Sequence, residues 1–286
     1  MDKQFATVNG LRMAYLEAGE GDPIVFLHGN PTSSYLWRDI WPHVRDKGRI
    51  IVPDLIGMGD SDKLPDPGPD SYRFVEHREY LWALLEQLGV TENVVLVIHD
   101  WGSGLGFDWA ANHPDAIRGI MYMEAITGPV ASWDDWPEAA RGIFQSMRSE
   151  AGEAIVLDKN VFVERILPAS IIRDLTDEEM AEYRRPFTAA GEGRRPTLTW
   201  PRQIPIEGEP ADVHEIATNY ASFMASAGFP KFFVNADPGT ILTGPQREAC
   251  RAWPNQQEIT VPGIHFIQED SADLIGSALA GWLDEI

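Results

Sequence analysis

Cysteine and long apolar runs are both scarce in this sequence. Cys250 is the only cysteine among 286 residues, so no disulfide can form within the chain. The longest apolar runs are about as long as strands, far short of the ~20 residues that a membrane-spanning helix requires. The N-terminus has no basic segment followed by an apolar one, so we expect a cytoplasmic protein without a signal peptide.

Positive charge is also in short supply. The chain has 44 acidic residues against 23 basic ones, a formal net charge of −21. This balance repels phosphate backbones and anionic lipid, which argues against nucleic acid and membrane partners. It gives no attraction to anionic substrates either, so we expect a small neutral substrate. Both a monomer and a small homo-oligomer are compatible with the sequence.

Signals for metal and nucleotide cofactors are missing as well. The seven histidines show no His-Glu-x-x-His motif or comparable ligand spacing, so no metal site is predicted. The glycine-rich stretch 53–62 lacks the G-x-G-x-x-G spacing of a dinucleotide site. We therefore expect a protein that works without a cofactor.

The features that are present indicate an α/β fold. Asn9-Gly10 predicts a hairpin within residues 3–17. Short apolar runs follow at roughly regular intervals, and several are separated by helical stretches such as Phe74 to Leu88, which ends at Gly89. This alternation predicts a doubly wound, mostly parallel sheet. The strand-like runs are Ile24 to Leu27, Ile50 to Val52, Val94 to Ile98, Ile120 to Met123 and Phe232 to Val234.

The strand pattern stops in the segment 127–212. Helical pieces appear there, such as Thr176 to Arg185, which opens with the capping-box sequence Thr-Asp-Glu-Glu. The stretch Arg194 to Pro210 carries four prolines and predicts an extended connection. The sequence therefore predicts an α/β core made of 1–126 and 213–286, with a helical cap inserted at 127–212.

The strongest chemical signal is the stretch Val94 to Gly102. A buried strand leads to Asp100 and then, past Trp101, to the small residues of a helix, which is typical of the nucleophile elbow of α/β-hydrolases. Aspartate stands where serine is usual, and Ile98 replaces the first glycine of the motif. A carboxylate is already ionised at neutral pH and can form an ester by attacking a carbon that bears a leaving group. Alternatively, Asp100 only caps the following helix.

Three other side chains occupy positions that suit this chemistry. His265 follows the predicted last strand, Glu258 to Val261, and a Pro262-Gly263 turn, where the base of such a hydrolase lies last in chain order. Glu124 closes the strand 119–123 and competes for the role of triad acid with Asp237, which follows the next strand. Asn30 follows a strand and His28-Gly29, where the oxyanion-hole loop is built.

The whole chain resembles the haloalkane dehalogenases, in particular the subfamily with an Asp-His-Glu triad. The specific motifs are His28 to Ser34, His99 to Gly102 and His265 to Asp270, together with 160–164 and 195–205. The resemblance implies an α/β-hydrolase fold that converts a haloalkane and water to an alcohol, halide and a proton. It assigns Asp100 as nucleophile, His265 as base and Glu124 as the acid that orients the base.

The same resemblance implies how the halide and the substrate are held. Asn30 and Trp101 would donate side-chain N–H groups to the halide, and their backbone N–H groups would form the oxyanion hole. Asp237 then occupies the position that this subfamily leaves without a catalytic acid. The residues expected to line the substrate pocket are Trp136, Phe144, Phe162 and Ile241. The loop Ile126 to Pro137 matches the family less closely, so the substrate range stays open.

Other functions remain as alternatives. An epoxide hydrolase would need two cap tyrosines as acids, but the segment 127–212 holds only Tyr183. A fluoroacetate-type dehalogenase would want arginines where Trp101 stands. A luciferase-like side activity and a non-catalytic ligand-binding relative are further alternatives. A cysteine hydrolase is disfavoured because Cys250 follows no elbow and lies in a predicted helix, Gln246 to Trp253.

Overall fold

An eight-stranded sheet forms the centre of the structure, a computed structural model that describes residues 2–286. The strand order is β1-β2-β4-β3-β5-β6-β7-β8, with β1 and β2 antiparallel to their neighbours and all other pairs parallel. The strands are β1 (Gln4–Val8), β2 (Leu11–Ala18), β3 (Pro23–Leu27), β4 (Arg49–Pro53), β5 (Val94–Asp100), β6 (Ile117–Ala125), β7 (Lys231–Pro238) and β8 (Gln256–Gly263).

The predicted strands are confirmed by this sheet. Strands β3 and β5 are buried along their whole length, which explains why they are unbroken apolar runs rather than alternating ones. Asn9 and Gly10 both have positive φ and join β1 to β2 as a hairpin. The α/β-hydrolase fold predicted from the sequence is therefore present, and β5, which ends at Asp100, lies in the middle of the sheet.

Nine α-helices accompany the sheet in residues 2–286. They are α1 (Phe74–Gln87), α2 (Trp101–Asn112), α3 (Glu138–Arg148), the single turn α4 (Leu167–Ala169), α5 (Asp177–Arg184), α6 (Arg195–Gln203), α7 (Ala211–Ser226), α8 (Gly244–Arg251) and α9 (Ile267–Leu283). Gly89 follows α1 with φ +69°, as its predicted role at a helix end requires. The capping box of α5 is also present, with Thr176 and Glu179 bonding to each other's backbone. No helix in this stretch of the chain is both long and apolar enough to cross a membrane.

Between β6 and β7 the chain forms helices joined by turns and loops, with isolated bridges at Val130, Ile206 and Glu209. Two stretches, Glu153–Asp158 and Phe162–Ile166, are π-helical, a form that occurs often at functional sites. The helix α7 spans the expected boundary between 212 and 213, so the helical segment passes into the core without a break in secondary structure.

The prediction that Arg194 to Pro210 is extended is wrong, because α6 occupies its first half. Pro196 lies in the first turn of α6, where a missing N–H costs nothing. Pro201 lies inside the helix and removes one hydrogen bond, but the helix is held by burial, since most of its residues are inaccessible to solvent.

The expected turn at Pro262-Gly263 is also misplaced. Both residues are still part of β8, and the chain bends at Ile264 and His265 before α9 begins. A residue paired only on one side of a sheet can lack an N–H, so proline does not end this edge strand.

Candidate active site

Asp100 occupies a strained turn between β5 and α2. Its backbone has φ 49° and ψ −129°, outside the regions that L-residues favour. The turn is possible because neighbouring backbones approach closely: a Cβ on Gly29 would lie 2.0 Å from Asp100 Oδ1, and one on Gly102 would lie 2.3 Å from the Leu27 carbonyl oxygen. The side chain of Asp100 makes no cap bond to α2, which argues against a purely capping role.

A backbone donor anchors the Asp100 carboxylate. The Asn30 N–H donates to Oδ1 at 2.7 Å. The nearby Trp101 N–H helps to lower the pKa of the carboxyl group. Burial would raise the pKa of Asp100, but the hydrogen bond and charge of His265 outweigh it, so the pKa is lowered. The group is therefore an ionised carboxylate with one oxygen anchored and the other directed toward His265.

His265 links Asp100 to Glu124. Its Nε2 lies 3.4 Å from Asp100 Oδ2, and its Nδ1 lies 3.1 Å from Glu124 Oε2. Burial lowers the pKa of His265, but the hydrogen bonds and charges of both carboxylates outweigh burial and raise the pKa to about 9. The arrangement is a buried acid–base–acid line, with an imidazole able to move a proton at Nε2 while Nδ1 stays bonded.

Glu124 is fixed by donors that the sequence does not reveal. Its carboxylate accepts from the backbone N–H groups of Thr240 at 3.1 Å, Ile241 at 2.9 Å and Leu242 at 3.4 Å. Backbone donors have no sequence signature beyond a loop after β7. Asp237, the competing acid, is exposed and makes no hydrogen bond to His265 in the described chain. Of the two acids, only Glu124 contacts the imidazole.

The loop that carries His265 is held by the helical segment. The carbonyl oxygen of Ser170 accepts from the N–H groups of His265 at 3.0 Å and Phe266 at 3.2 Å. Four residues beyond His265, the buried Glu269 pairs with Arg38 of the core at 2.7 Å and with Arg173 of the helical segment. The helical segment thus helps to fix the position of His265.

A cavity of about 470 Å³ lies above Asp100. We call its buried inner end the floor, formed by Asn30, Asp100, Trp101 and His265, and its solvent-exposed end the mouth, formed by Ala139, Arg165 and Ala169. The lining between them is mainly apolar, as is typical of small-molecule sites. All four residues predicted to line a pocket do so: Trp136, Phe144, Phe162 and Ile241.

Asn30 and Trp101 are the two floor residues that carry neutral side-chain N–H donors. The indole ring of Trp101 stacks on Trp200 of α6, with ring centroids 4.6 Å apart and planes 23° apart. The side-chain Nδ2 of Asn30 donates to the carbonyl oxygen of Thr197, also in α6, at 3.3 Å. Two neutral N–H donors therefore adjoin one carboxylate, a combination that can bind an anion without trapping it.

The residues that would support other chemistries lie elsewhere. No tyrosine is among the residues that line the cavity, and the Tyr183 hydroxyl donates to Glu269 instead. Cys250 is buried in α8, where burial raises the pKa of its thiol to about 11. Within residues 2–286, no group of His, Cys, Asp and Glu is arranged to bind a metal ion.

Comparisons with known proteins identify relatives that match nearly the whole chain. A model of the alpha/beta hydrolase fold family matches residues 22–272. A haloalkane dehalogenase from Sphingobium indicum is 59% identical over 99% of this chain and 95% of its own length. One from Mycolicibacterium smegmatis is 52% identical over 99% of this chain and 91% of its own. The crystal structure of the haloalkane dehalogenase DbeA from Bradyrhizobium elkani superimposes with a TM-score of 0.94 at 42% identity, covering 99% of this chain and 98% of that one.

Proposed function

Because this chain belongs to the haloalkane dehalogenases and catalyses hydrolytic dehalogenation, we propose that Asp100, His265 and Glu124 are the triad that performs the reaction. The observation that carries the proposal is the placement of an ionised, half-anchored carboxylate on the cavity floor, with an imidazole 3.4 Å away and two side-chain N–H donors beside it. Each of these groups has a defined part in a two-step displacement.

In the first step, Asp100 attacks the carbon that bears the halogen. Oδ1 is bonded to the Asn30 N–H, so Oδ2 is the freer oxygen and forms the new C–O bond as the carbon–halogen bond breaks. The electron pair of that bond leaves with the halide. The side-chain N–H groups of Asn30 and Trp101 stabilise the negative charge that grows on the halogen. The products are an alkyl ester of Asp100 and a halide ion.

In the second step, His265 removes a proton from a water molecule that attacks the ester carbonyl carbon of Asp100. The charge on the resulting tetrahedral oxygen is met by the backbone N–H groups of Asn30, which already donates to Oδ1 in the resting enzyme, and of Trp101. Collapse of this intermediate breaks its bond to the alkoxide, which takes the remaining water proton and leaves as the alcohol. The carboxylate is restored, and His265 releases its proton to solvent. Glu124 keeps the proton on Nδ1 and stabilises the imidazolium.

Formation of the ester itself prepares the base. In the resting enzyme the Asp100 carboxylate is one reason why the pKa of His265 is raised to about 9. Esterification removes that charge, while burial, which lowers the pKa, stays. The pKa of His265 therefore falls when the ester forms, which favours the neutral imidazole when a base is needed.

The segment 127–212 acts as a cap that shapes the substrate pocket, on a core of 1–126 and 213–286. It supplies Trp136, Phe144 and Phe162 to the cavity wall, while Ile241 comes from the core. An apolar, mostly dry wall favours a neutral haloalkane and strengthens the N–H contacts to the leaving halide.

The test is halide release from 1,2-dibromoethane and 1-iodobutane by the wild type and by Asp100→Ala. We expect release by the wild type and a loss on the order of 10⁴-fold or more in the variant, because the nucleophile is removed. Asp237→Asn is the matched control and should retain activity. If Asp100→Ala retained the wild-type rate, the assigned nucleophile would be wrong.

Hydrolysis of styrene oxide distinguishes the proposed function from its nearest alternative, an epoxide hydrolase. An epoxide hydrolase would open this substrate with the same aspartate but without halide-binding side chains. Turnover of styrene oxide with no halide release from either haloalkane would overturn the roles of Asn30 and Trp101.

A further inference from the structure

The amide of Asn30 has an unusual hydrogen-bond partner. Its Nδ2 donates to the backbone carbonyl of Thr197, the third residue of α6, at 3.3 Å. A carbonyl in that position normally accepts from the backbone N–H four residues later in the same helix. Here the residue four positions later is Pro201, which has no N–H. The carbonyl is therefore left free by the sequence of its own helix.

Because the Thr197 carbonyl is buried, leaving it unpaired would lower the stability of the fold. Thr197 is fully buried, and an unpaired buried backbone carbonyl costs about as much as a lost hydrogen bond. Asn30, itself buried, satisfies it. The Thr197 hydroxyl is occupied elsewhere, since it donates to the carbonyl of Arg194 at 2.8 Å. The side-chain amide of Asn30 is thus the donor that replaces the missing N–H of Pro201.

The contact also decides which end of the amide lies at each position. A carbonyl can only accept, so the Asn30 group that faces Thr197 must be Nδ2 and not Oδ1. One N–H of Nδ2 is used there, and the second N–H is left for a ligand on the cavity floor, which Asn30 lines. Rotation of the amide by half a turn would place Oδ1 against the Thr197 carbonyl and two acceptors would repel each other.

We propose that Pro201 is a positioning residue of the halide site: by lacking an N–H, it leaves the Thr197 carbonyl free to orient the Asn30 amide with its N–H toward the halide. This inference rests on the proposed halide-binding role of Asn30. Pro201 also lines the cavity, so its ring and its missing N–H must be tested separately.

The first variant is Pro201→Ala, which gives α6 a donor for Thr197. The new N–H competes with Asn30, so bromide should bind more weakly, on the order of ten-fold, which is the size of about one hydrogen bond. Bromide binding is measured as competitive inhibition of 1-iodobutane turnover, with sodium sulfate at matched ionic strength. The melting temperature should stay the same or rise, because alanine is a better helix former than proline. If Pro201 had only a structural role, Pro201→Ala would lower the melting temperature and leave bromide binding unchanged.

Two controls isolate the cause. Pro196→Ala adds an N–H in the first turn of α6, where it meets no intrahelical acceptor, and should leave bromide binding unchanged. Replacing residue 201 with lactic acid, the ester analogue of alanine, removes the ring without adding an N–H. This ester variant should bind bromide like the wild type. Bromide binding as weak as that of Pro201→Ala would overturn the inference, because the ring would then be the cause.

Asn30→Ala separates this inference from the proposed function. If Asn30→Ala leaves bromide binding unchanged, the halide role of Asn30 fails and the inference fails with it. If Asn30→Ala weakens binding but Pro201→Ala does not, only the role of Pro201 is refuted. The inference predicts that Pro201→Ala has no further effect on bromide binding in the Asn30→Ala background, since both changes act through the same N–H.

Discussion

The floor and the mouth of the cavity are built in different ways. At the floor, Asp100 is fixed by the backbone N–H of Asn30 and by a strained turn at the end of a fully buried strand. At the mouth, Arg165 is exposed and its side chain makes no hydrogen bond or ion pair with residues 2–286. Backbone geometry therefore restricts the floor to one arrangement, whereas side chains at the mouth can change with little effect on the fold. We therefore expect residues of the floor to determine the reaction type and residues of the mouth to influence the choice of substrate.

The other arginines of the helical segment make Arg165 stand out. Each of them forms an ion pair or a hydrogen bond with a carbonyl or carboxylate group. These bonds connect parts of the segment to one another or to the core. These residues are Arg141, Arg148, Arg173, Arg184, Arg185, Arg194, Arg195 and Arg202. Arg165 is the cation at the mouth with no such structural task among the described residues.

Among the predictions that follow, the largest effect is expected for Glu124→Gln, because Glu124 contacts His265 of the floor. The amide keeps the shape of the side chain but cannot balance the imidazolium, so we expect kcat for 1-iodobutane to fall by about 10²- to 10⁴-fold. Steady-state halide release measures this loss. Asp237→Asn removes an equal charge from the exposed competing position and should change kcat by less than about two-fold. Equal losses in both variants would mean that Glu124 does not act through His265.

The second prediction concerns the pKa of His265, measured by NMR titration of its imidazole. The wild type should titrate near pH 9, and Asp100→Asn should titrate lower, because the charge and hydrogen bond of Asp100 are removed while burial remains. An unchanged pKa would contradict the assigned contact.

The same pKa shift has a consequence for stability. A pKa raised in the folded state stabilises the fold fully below the ordinary histidine pKa of about 6.5, and this contribution is lost as pH rises through about 9. The melting temperature of the wild type should therefore decrease relative to that of Asp100→Asn between pH 7 and pH 10.

The smallest effect is expected at the mouth. Arg165→Gln should raise KM for 6-bromohexanoate by about two- to five-fold and leave 1-bromohexane unchanged, because an exposed cation attracts a distal carboxylate only weakly. Added salt should reduce the difference. Arg45→Gln is the matched control, since Arg45 is also exposed, makes no side-chain bond within the described chain and does not line the cavity. A change of the same size in Arg45→Gln would show a general charge effect and not a property of the mouth.

The same division describes what could be predicted from the sequence. The strands were predictable because buried parallel strands are apolar runs. The elbow was predictable because its motif places a nucleophilic side chain, here that of Asp100, between a strand and the small residues of a helix. The helix α6 was not predictable, because a proline such as Pro201 ordinarily interrupts a helix interior. The compensating donor, Asn30, lies 167 positions before its partner Thr197 in the chain. The backbone donors to Glu124 and the π-helical turns likewise depend on tertiary contacts that no local pattern encodes.

The most direct test of the central claim is to trap the intermediate on the floor. His265→Gln should still form the Asp100 ester but hydrolyse it slowly, because the base of the second step is missing. After incubation with 1-iodobutane, mass spectrometry of the digested protein should find one butyl group on the peptide that contains Asp100. A butyl group on another residue, or none despite a stoichiometric burst of iodide, would contradict the account.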